Sequence, residues 1–330
     1  MNLVTGATGH IGNVLVRKLL DAGQSVRALI LPGEDTLPLR DLPVEQVPGD
    51  VLDPQSLSKA MNGINRVFHL AGIISILPGR NDLLRRVNVE GTKNIVAEAK
   101  RSGVQRLIYT SSIHAIQHAP QGVCIDERLP FDPRNPVGEY DRSKAEASLA
   151  VQQAAEEGLD SVIVCPTGVI GPNDYRRSEL GQLILDCVEE KTQFYIDGAY
   201  DFVDVRDVAD GMMLAAEKGR NGETYILSGQ RLSVRNIIDM LWEMTGKHFT
   251  RIHIPFSLAR AASVFTPIYY RLSGTKPRFT PYSLSTLCSN SNISHAKATR
   301  ELGYHPRRLL ETLSDTVDWY RRNKRVAVST

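Results

Sequence analysis

Near its start the chain contains the glycine-rich stretch Thr5-Gly6-Ala7-Thr8-Gly9-His10-Ile11-Gly12. This stretch follows Leu3-Val4, a short apolar run that predicts a strand. Residues 11–22 then carry apolar side chains at three- and four-residue spacing, which predicts a helix. A glycine-rich turn between a strand and a helix is typical of a site for the pyrophosphate of a dinucleotide, so the sequence predicts such a site here.

Each glycine of this turn has its own physical role. Gly6 permits the tight turn, Gly9 lets the backbone approach a pyrophosphate, and Gly12 lets the helix lie close to the sheet. The helix offers free backbone N–H groups and the positive end of its dipole to the phosphates. We therefore expect the anion to be held by backbone groups.

Short apolar runs alternate with helical patterns over the first two thirds of the chain. Because such strands pair in parallel through right-handed crossovers, the pattern predicts an α/β fold with a Rossmann-type doubly wound parallel sheet. After Pro172 the alternation loosens. We expect a dinucleotide-binding domain over residues 1–170 that regains parts of about 200–228. A smaller, interleaved α/β lobe over 171–330 is expected to bind mainly the substrate.

Composition argues against several classes of partner. The 330 residues include 39 Lys and Arg against 37 Asp and Glu, so the formal net charge of +2 favours neither nucleic acid nor a membrane as partner. No stretch approaches the roughly 18 continuous apolar residues of a spanning helix, and the N-terminus does not resemble a signal peptide. Four widely spaced cysteines without Cys-x-x-Cys argue against disulfides and zinc. We expect a cytoplasmic protein with no metal and a small-molecule substrate.

Tyr140 and Lys144 stand four residues apart at the start of a predicted helix over 143–157, so both side chains lie on one helical face. A phenol has a pKa of about 10, and a nearby ammonium favours the phenolate and lowers that pKa. Tyr140 is therefore a candidate to exchange a proton with a substrate alcohol or carbonyl oxygen. Ser111 and Ser112 directly follow a predicted strand over residues 106–110, and either hydroxyl can hold the same oxygen.

The glycine spacing, Gly-x-x-Gly-x-x-Gly after Thr5, resembles that of the extended short-chain dehydrogenase/reductase family. The resemblance extends over nearly the whole chain and is strongest to the dihydroflavonol reductase-like and epimerase/dehydratase branches. The further motifs that carry it are Tyr140-x-x-x-Lys144, Gly49-Asp50-Val51, His69-Leu70-Ala71-Gly72, Asn88-Val89-Glu90-Gly91-Thr92, residues 166–172, residues 202–209 and residues 301–306.

The resemblance implies a catalytic triad of Ser112, Tyr140 and Lys144, because the family's catalytic hydroxyl is the last of its run. Lys144 would also hold the ribose of the cofactor. The cofactor-binding residues implied in this way are Gly6, Thr8, Gly9, His10, Ile11, Gly12, Leu31, Asp50, Val51, Leu70, Ala71, Gly72, Asn88 (mainly structural), Thr110, Tyr140, Lys144, Pro166, Thr167 and Val169.

The end of the second predicted strand departs from the family pattern. Ile30 stands where NAD-binding relatives carry an acid, and Leu31 stands where NADP-binding relatives carry an arginine. Glu34 and Asp35 would repel a 2′-phosphate, whereas Arg40 would attract one. The implied cofactor is NAD or NADP, and the balance of these charges favours NAD.

The resemblance implies an NAD(P)-dependent oxidoreductase that interconverts an alcohol and a ketone or aldehyde. The alternative is a sugar-nucleotide epimerase with tightly bound NAD, in which Arg176-Arg177, Arg271, Lys276 and Arg278 would hold a nucleoside diphosphate. A third alternative is a non-catalytic NAD(P)-sensing protein, although such relatives lose the tyrosine. A dehydratase is disfavoured, because Ile113-His114 rather than Asp-Glu follows the hydroxyl residue.

Ser112, His114 and Asn173 are the candidate substrate contacts. Residues 73–81, 114–122, 173–200 and 265–282 are expected to line the cleft. These segments include apolar and aromatic residues, which indicates an apolar or ring-containing substrate. These residues are Ile73, Ile74, Ile76, Leu77, Phe265, Tyr269, Tyr270 and Phe279. The family commonly forms homodimers through a helix bundle, so a homodimer that includes the predicted helix over 143–157 is expected.

Overall fold

The computed structural model describes residues 1–74, 81–246, 249–263 and 281–323. Its strands are β1 (Asn2–Thr5), β2 (Val26–Ile30), β3 (Glu45–Pro48), β4 (Arg66–His69), β5 (Arg106–Thr110), β6 (Ser161–Pro166), β7 (Gly168–Ile170), β8 (Gln193–Tyr195), β9 (Ala199–Asp204), β10 (Thr224–Leu227), β11 (Gln230–Ser233) and β12 (Arg251–His253). Its helices are α1 (His10–Asp21), α2 (Pro54–Ala60), α3 (Asp82–Arg85), α4 (Gly91–Arg101), α5 (Glu139–Glu156), α6 (Glu179–Val188), α7 (Val205–Lys218), α8 (Val234–Thr245), α9 (Phe256–Ser263), α10 (Pro281–Cys288), α11 (Ala296–Leu302) and α12 (Leu309–Arg322).

Seven of the described strands form one parallel sheet in the order β10-β6-β5-β4-β1-β2-β3. The chain runs outward from β1 to β2 and β3 on one side and to β4, β5 and β6 on the other. The strand order therefore reverses between β1 and β4, where Thr5 pairs with His69. Ligands bind doubly wound sheets at this switch point. The predicted Rossmann-type fold is confirmed.

Both faces of the sheet are covered, which explains why its strands read as continuous apolar runs. All residues of β1 and β6 are buried. On one face Leu57 of α2 and Ile95 of α4 pack in the core, and on the other face Leu15 of α1 and Met212 of α7 do so. This packing holds the N-terminus of α1 rigidly against the end of β1.

The later part of the chain both adds to this sheet and builds smaller ones. Strand β10 pairs with β6 in parallel, so residues 224–227 belong to the central sheet. Strands β11, β9 and β7 form a three-stranded sheet, and β12 pairs with β8. Within the described ranges, no helix combines the length and the apolar character that crossing a membrane requires. The exact domain boundary stays a prediction.

Helix α5 begins at Glu139, four residues before the predicted helix over 143–157. Gly138 is extended immediately before it, with φ −159° and ψ 162°. Glu139 and Asp141 lie in the first turn, where their charge favours the positive end of the helix dipole. Tyr140 and Lys144 are therefore both helical and separated by about one turn.

Candidate active site

The glycine turn between β1 and α1 leaves no room for a Cβ at Gly6 or at Gly12. Gly6 has φ +68°, and a Cβ there would lie 2.8 Å from the backbone nitrogen of Ala71. A Cβ on Gly12 would overlap the carbonyl oxygen of Gly6 and lie 2.8 Å from its carbonyl carbon. The backbone N–H of Gly9 donates to that same oxygen over 3.0 Å. This bare-backbone cradle at a helix N-terminus fits a dinucleotide pyrophosphate.

A buried network joins the ends of β1 and β4 beside the turn. The hydroxyl oxygen of Thr5 lies 2.7 Å from Nδ1 of His69 and accepts a hydrogen bond from the backbone N–H of Ala71 over 3.1 Å. Nε2 of His69 lies 3.0 Å from the Thr92 hydroxyl. Burial lowers the pKa of His69 to about 3, so its ring is neutral. The network fixes the path of Leu70 and Ala71 past the glycine turn.

Asn88 is occupied by protein groups. Its side-chain amide donates to the carbonyl of Ile73 over 3.0 Å and accepts from the N–H of Ile73 over 2.8 Å. It also donates to the Ser143 hydroxyl over 3.0 Å, which ties the chain after β4 to α5. A Cβ on Gly72 would lie 3.9 Å from Nζ of Lys144, so this chain segment faces the lysine.

The predicted adenine contacts lie beyond β3. The Asp50 carboxylate accepts from the N–H of Leu52 over 2.8 Å, which stabilises the turn into α2. Val51 is buried and packs against Gly91, where a Cβ would lie 2.7 Å from its methyl carbon. The two residues shape this end of the sheet.

The carboxylate of Glu34, which the sequence places near a 2′-phosphate, lies at the end of β2. The backbone N–H of Glu34 donates to the carbonyl of Leu31 over 2.9 Å, which closes a turn through Gly33 at φ +83°. The Glu34 side chain then folds back and accepts from the N–H of Leu31 over 3.2 Å. Ile30 is not acidic, and the fold-back of Glu34 places an acid at the end of β2. In the sequence, Pro32-Gly33 indicates the turn that brings Glu34 back to β2.

The chain after β6 crosses to the N-terminus of α1. Pro166 ends β6, Val169 lies in β7, and the Thr167 hydroxyl donates to the Asp201 carboxylate over 2.6 Å. The carbonyl of Asn173 accepts from the Asn13 side chain over 3.1 Å, and Nε2 of His10 lies 3.0 Å from the carbonyl oxygen of Pro172. Ile11 is half-buried on the first turn of α1. Asn173, a predicted substrate contact, thus lies against α1.

Ser112, Tyr140 and Lys144 come together where β5 ends. Ser112 interacts with the Tyr140 phenol and accepts a hydrogen bond from the N–H of His114 over 3.2 Å. Nζ of Lys144 donates to the carbonyl of Thr110 over 2.6 Å. The Thr110 hydroxyl itself points to the sulfur of Met212 on the other face of the sheet.

The competing hydroxyl, that of Ser111, turns away from this cluster. It lies 2.6 Å from the Ser148 hydroxyl, which donates to the carbonyl of Lys144 over 2.7 Å. Ser111 therefore anchors β5 to α5. The geometry favours Ser112 as the hydroxyl beside Tyr140.

The electrostatics of Tyr140 differ from the expectation that a lysine lowers its pKa. Burial raises the pKa of Tyr140 to about 12, and the interaction with Ser112 only partly opposes this rise. Burial also lowers the pKa of Lys144 to about 8. The loss of hydration disfavours both charged forms in the protein alone. At neutral pH the phenol is protonated, and Lys144 is still mostly charged.

Three further residues surround His114, and two of them, Tyr200 and Tyr282, end segments that are expected to line the cleft. The Tyr200 hydroxyl lies 3.0 Å from Nε2 of His114. The Tyr282 hydroxyl donates to Oδ1 of Asp141 over 2.7 Å, and Oδ2 of Asp141 lies 3.9 Å from Nδ1 of His114. Asp141 lies inside the Tyr140-to-Lys144 motif, but Tyr200 and Tyr282 come from β9 and α10. No local spacing connects these elements to α5.

This group is largely uncharged at neutral pH apart from Asp141. Burial lowers the pKa of His114 to about 4, and nearby His118 acts in the same direction. Burial raises the pKa of Asp141 to about 6, although the hydrogen bond from Tyr282 acts to lower it. Among the described residues, no group of three or more His, Cys, Asp or Glu side chains is placed to hold a metal ion.

Asp141→Asn is expected to stabilise the protein at pH 8 and to leave its stability nearly unchanged at pH 4. The folded-state pKa of Asp141 lies above the unfolded value of 3.8, so ionisation destabilises the folded state. This cost develops between pH 4 and 6 and is complete above that range. A shift of this size corresponds to at most about 3 kcal/mol. Thermal melting at both pH values measures it.

Asp21→Asn is the matched control for this stability prediction, because Asp21 is an exposed carboxylate at the end of α1. It should change the melting temperature little at either pH. An equal change for Asp141→Asn at pH 4 and pH 8 would contradict the predicted cost of ionisation.

Comparisons with known proteins agree with this geometry. The model of the family described as "NAD dependent epimerase/dehydratase family" matches residues 2–228. Sterol demethylase protein B of Methylococcus capsulatus is 38% identical and aligns over 97% of this chain and 98% of its own. A 3-beta-hydroxysteroid dehydrogenase of Mycolicibacterium neoaurum is 30% identical, and the alignment covers 92% of this chain and 86% of that protein.

A solved structure shares the fold. The dTDP-glucose 4,6-dehydratase DesIV of Streptomyces venezuelae, solved with NAD bound, superposes with a TM-score of 0.80. The superposition covers 98% of this chain and 97% of the DesIV chain. The two sequences are 22% identical, so the match shows a similar fold alone.

Proposed function

Because the chain belongs to the NAD dependent epimerase/dehydratase family, we propose that it is an NAD(P)-dependent oxidoreductase that interconverts an alcohol and a ketone or aldehyde. The observation that carries the proposal is the cluster of Ser112, Tyr140 and Lys144 at the end of β5. It lies on the same edge of the sheet as the glycine cradle. A cofactor on that cradle would extend along this edge toward the cluster.

The proposed roles follow from the charges at the site. When bound, NAD(P) supplies the hydride donor or acceptor. In carbonyl reduction, Tyr140 donates its proton to the substrate oxygen, and its raised pKa keeps that proton in place beforehand. Ser112 donates a hydrogen bond to the same oxygen. Lys144 supplies a positive charge that stabilises the phenolate left behind, and it holds the ribose hydroxyls. Alcohol oxidation reverses these proton transfers.

We propose an apolar, ring-containing substrate. The rings of His114 and Tyr200 are stacked, with their centroids 5.8 Å apart and an angle of 13° between their planes. The centroid of the Tyr282 ring lies 5.9 Å from that of His114. Flat aromatic surfaces favour flat apolar ligands. The names of two relatives, a sterol demethylase and a 3-beta-hydroxysteroid dehydrogenase, refer to ring-containing compounds. Ile73 and Ile74 lie beside Gly72, and Ile74 is exposed. The other predicted apolar positions, Ile76, Leu77, Phe265, Tyr269, Tyr270 and Phe279, lie outside the described residues.

The epimerase alternative has less support from the described residues. Arg176 binds Thr8 at the glycine turn. Burial raises the pKa of Tyr320 on α12, and the charge of nearby Arg177 opposes that rise, so Arg177 lies toward α12. The side chains around Tyr140 described above bring no cation for a diphosphate apart from Lys144. Arg271, Lys276 and Arg278 lie outside the described residues.

The proposal is tested by supplying NAD+ or NADP+ with a panel of ring-containing secondary alcohols, and NADH or NADPH with the matching ketones. We expect a change in nicotinamide absorbance that depends on the substrate. A parallel reaction with UDP-sugars is the control for epimerisation. Turnover of a UDP-sugar without net redox change, and no response to any alcohol or ketone, would overturn the proposal.

Two broader features also belong to the proposal. A cytoplasmic location is supported by the four cysteines, which are all free.

A homodimer through a helix bundle is supported by α5, on which Leu149 is 40% exposed. Size-exclusion chromatography with light scattering measures the oligomeric state.

A further inference from the structure

Three side chains from distant parts of the sequence meet above the glycine turn. The Thr8 hydroxyl donates to Oε1 of Glu34 over 2.6 Å. Nη2 of Arg176 donates to the Thr8 hydroxyl oxygen over 2.7 Å and also forms an ion pair with Glu34. Thr8 is 1% exposed, whereas the Arg176 side chain is 57% exposed. The cluster joins the pyrophosphate cradle, the end of β2 and the chain after β7.

The loop that carries Arg176 is held in place on both sides. Its first residues, Pro172 and Asn173, are bound to α1 through the contacts of His10 and Asn13 described above. Further along, the Asp174 carboxylate accepts from the N–H and the hydroxyl of Ser178 over 2.8 and 2.6 Å. The Tyr175 ring packs edge-on against Trp319 of α12.

The backbone of this loop is also unusual. Asn173 has φ +66° and Arg177 has φ +51°. These values lie in the left-handed region, which residues other than glycine rarely adopt. Such conformations persist where surrounding contacts enforce them, and they concentrate at functional sites. Arg176 is therefore presented to the end of β2 by a fixed loop.

We propose that Arg176 is a second reader of the adenosine ribose, and that its ion pair with Glu34 decides between NAD(H) and NADP(H). The Glu34 carboxylate accepts hydrogen bonds from the ribose hydroxyls and repels a 2′-phosphate. A guanidinium binds phosphate well through its forked donors. The guanidinium of Arg176, however, is paired with the Glu34 carboxylate, which neutralises its charge. Arg176 thus provides a binding group for a 2′-phosphate, and the ion pair with Glu34 prevents that binding. The inference rests on the NAD(P) cofactor of the family and not on the proposed substrate.

The test measures binding without turnover. ADP-ribose and 2′-phospho-ADP-ribose are titrated by calorimetry into the wild-type protein, Glu34→Gln, Arg176→Gln and the double variant. We expect the wild type to bind ADP-ribose at least tenfold more tightly than its 2′-phosphate. Glu34→Gln should tighten binding of the 2′-phosphate at least tenfold and weaken that of ADP-ribose severalfold. Adding Arg176→Gln to Glu34→Gln should abolish the gain.

Arg40 provides the matched control, because it is an exposed arginine that follows the same strand. Arg40→Gln added to Glu34→Gln should leave the gain in place. The proposal is overturned if Glu34→Gln does not tighten binding of the 2′-phosphate, if the gain survives removal of Arg176, or if removal of Arg40 abolishes it. Because no substrate is used, a failed alcohol screen would count against the proposed reaction and not against this cofactor reader.

Discussion

Tyr140→Phe is expected to lower kcat/KM for the alcohol or ketone by about 10³-fold, within the range that general acid–base catalysis contributes. The variant keeps the ring and its packing but removes the only atom that exchanges the proton. Affinity for ADP-ribose should change little, because this ligand lacks the nicotinamide half of the cofactor and because the glycine cradle and Glu34 are untouched. Steady-state kinetics together with calorimetric binding of ADP-ribose separates the two effects.

Tyr109→Phe is the matched control for the catalytic prediction. Tyr109 is a fully buried tyrosine on β5, and Nζ of Lys144 lies 4.7 Å from the centre of its ring. The substitution removes a phenol hydroxyl near the same lysine without touching Ser112. It should retain activity within severalfold of the wild type. Wild-type activity in Tyr140→Phe would refute the proposed acid–base role.

Gly12→Ala is expected to weaken binding of ADP-ribose by at least about 100-fold, and to destabilise the protein by about 2–4 kcal/mol. The added methyl group would overlap the carbonyl oxygen of Gly6 and also lie 2.9 Å from Cα of Ala7. Because both neighbours are backbone, the clash is relieved only when α1 moves away from the turn. That movement distorts the N–H groups that would hold the pyrophosphate. Calorimetry and chemical denaturation measure the two losses.

Gly63→Ala separates this clash from the general effect of replacing a glycine. Gly63 has φ +73°, and a Cβ there has no neighbour within 4 Å. Its substitution should cost about 1–2 kcal/mol of stability through backbone strain and leave ADP-ribose binding unchanged. If Gly12→Ala binds ADP-ribose as well as Gly63→Ala does, the glycine turn is not the cradle.

The parts of the site that the sequence predicted are those with local spacing. The glycine turn, the hydroxyl at the end of β5 and the pair Tyr140 and Lys144 each occupy a few consecutive residues. Helix and strand periodicity converts such spacing directly into geometry. The alternation of strands and helices then places them on one edge of the sheet. The family resemblance adds chemistry to these positions, and the roles of individual residues stay predictions.

The pKa of Tyr140 shows where local reasoning stops. The sequence places a lysine one turn away and predicts a lowered pKa, but burial raises it to about 12. Nζ of Lys144 is directed to the carbonyl of Thr110. The balance between an ammonium and the loss of hydration depends on how deeply the folded chain buries both groups.

The alternation of apolar runs with helical patterns, the glycine spacing and the Tyr140-to-Lys144 spacing are local patterns. From them the sequence predicted the parallel sheet, the turn after β1 and the position of Tyr140 on a helix. The contacts of Glu34 with the N–H of Leu31 and with Arg176, 142 residues away, are visible only in the tertiary structure. The tertiary structure likewise decided that Tyr282 meets Asp141, 141 residues away. These long-range contacts depend on how turns and crossovers fold back onto the sheet. The periodicity of the sequence predicts helices and strands but not the course of the loops between them.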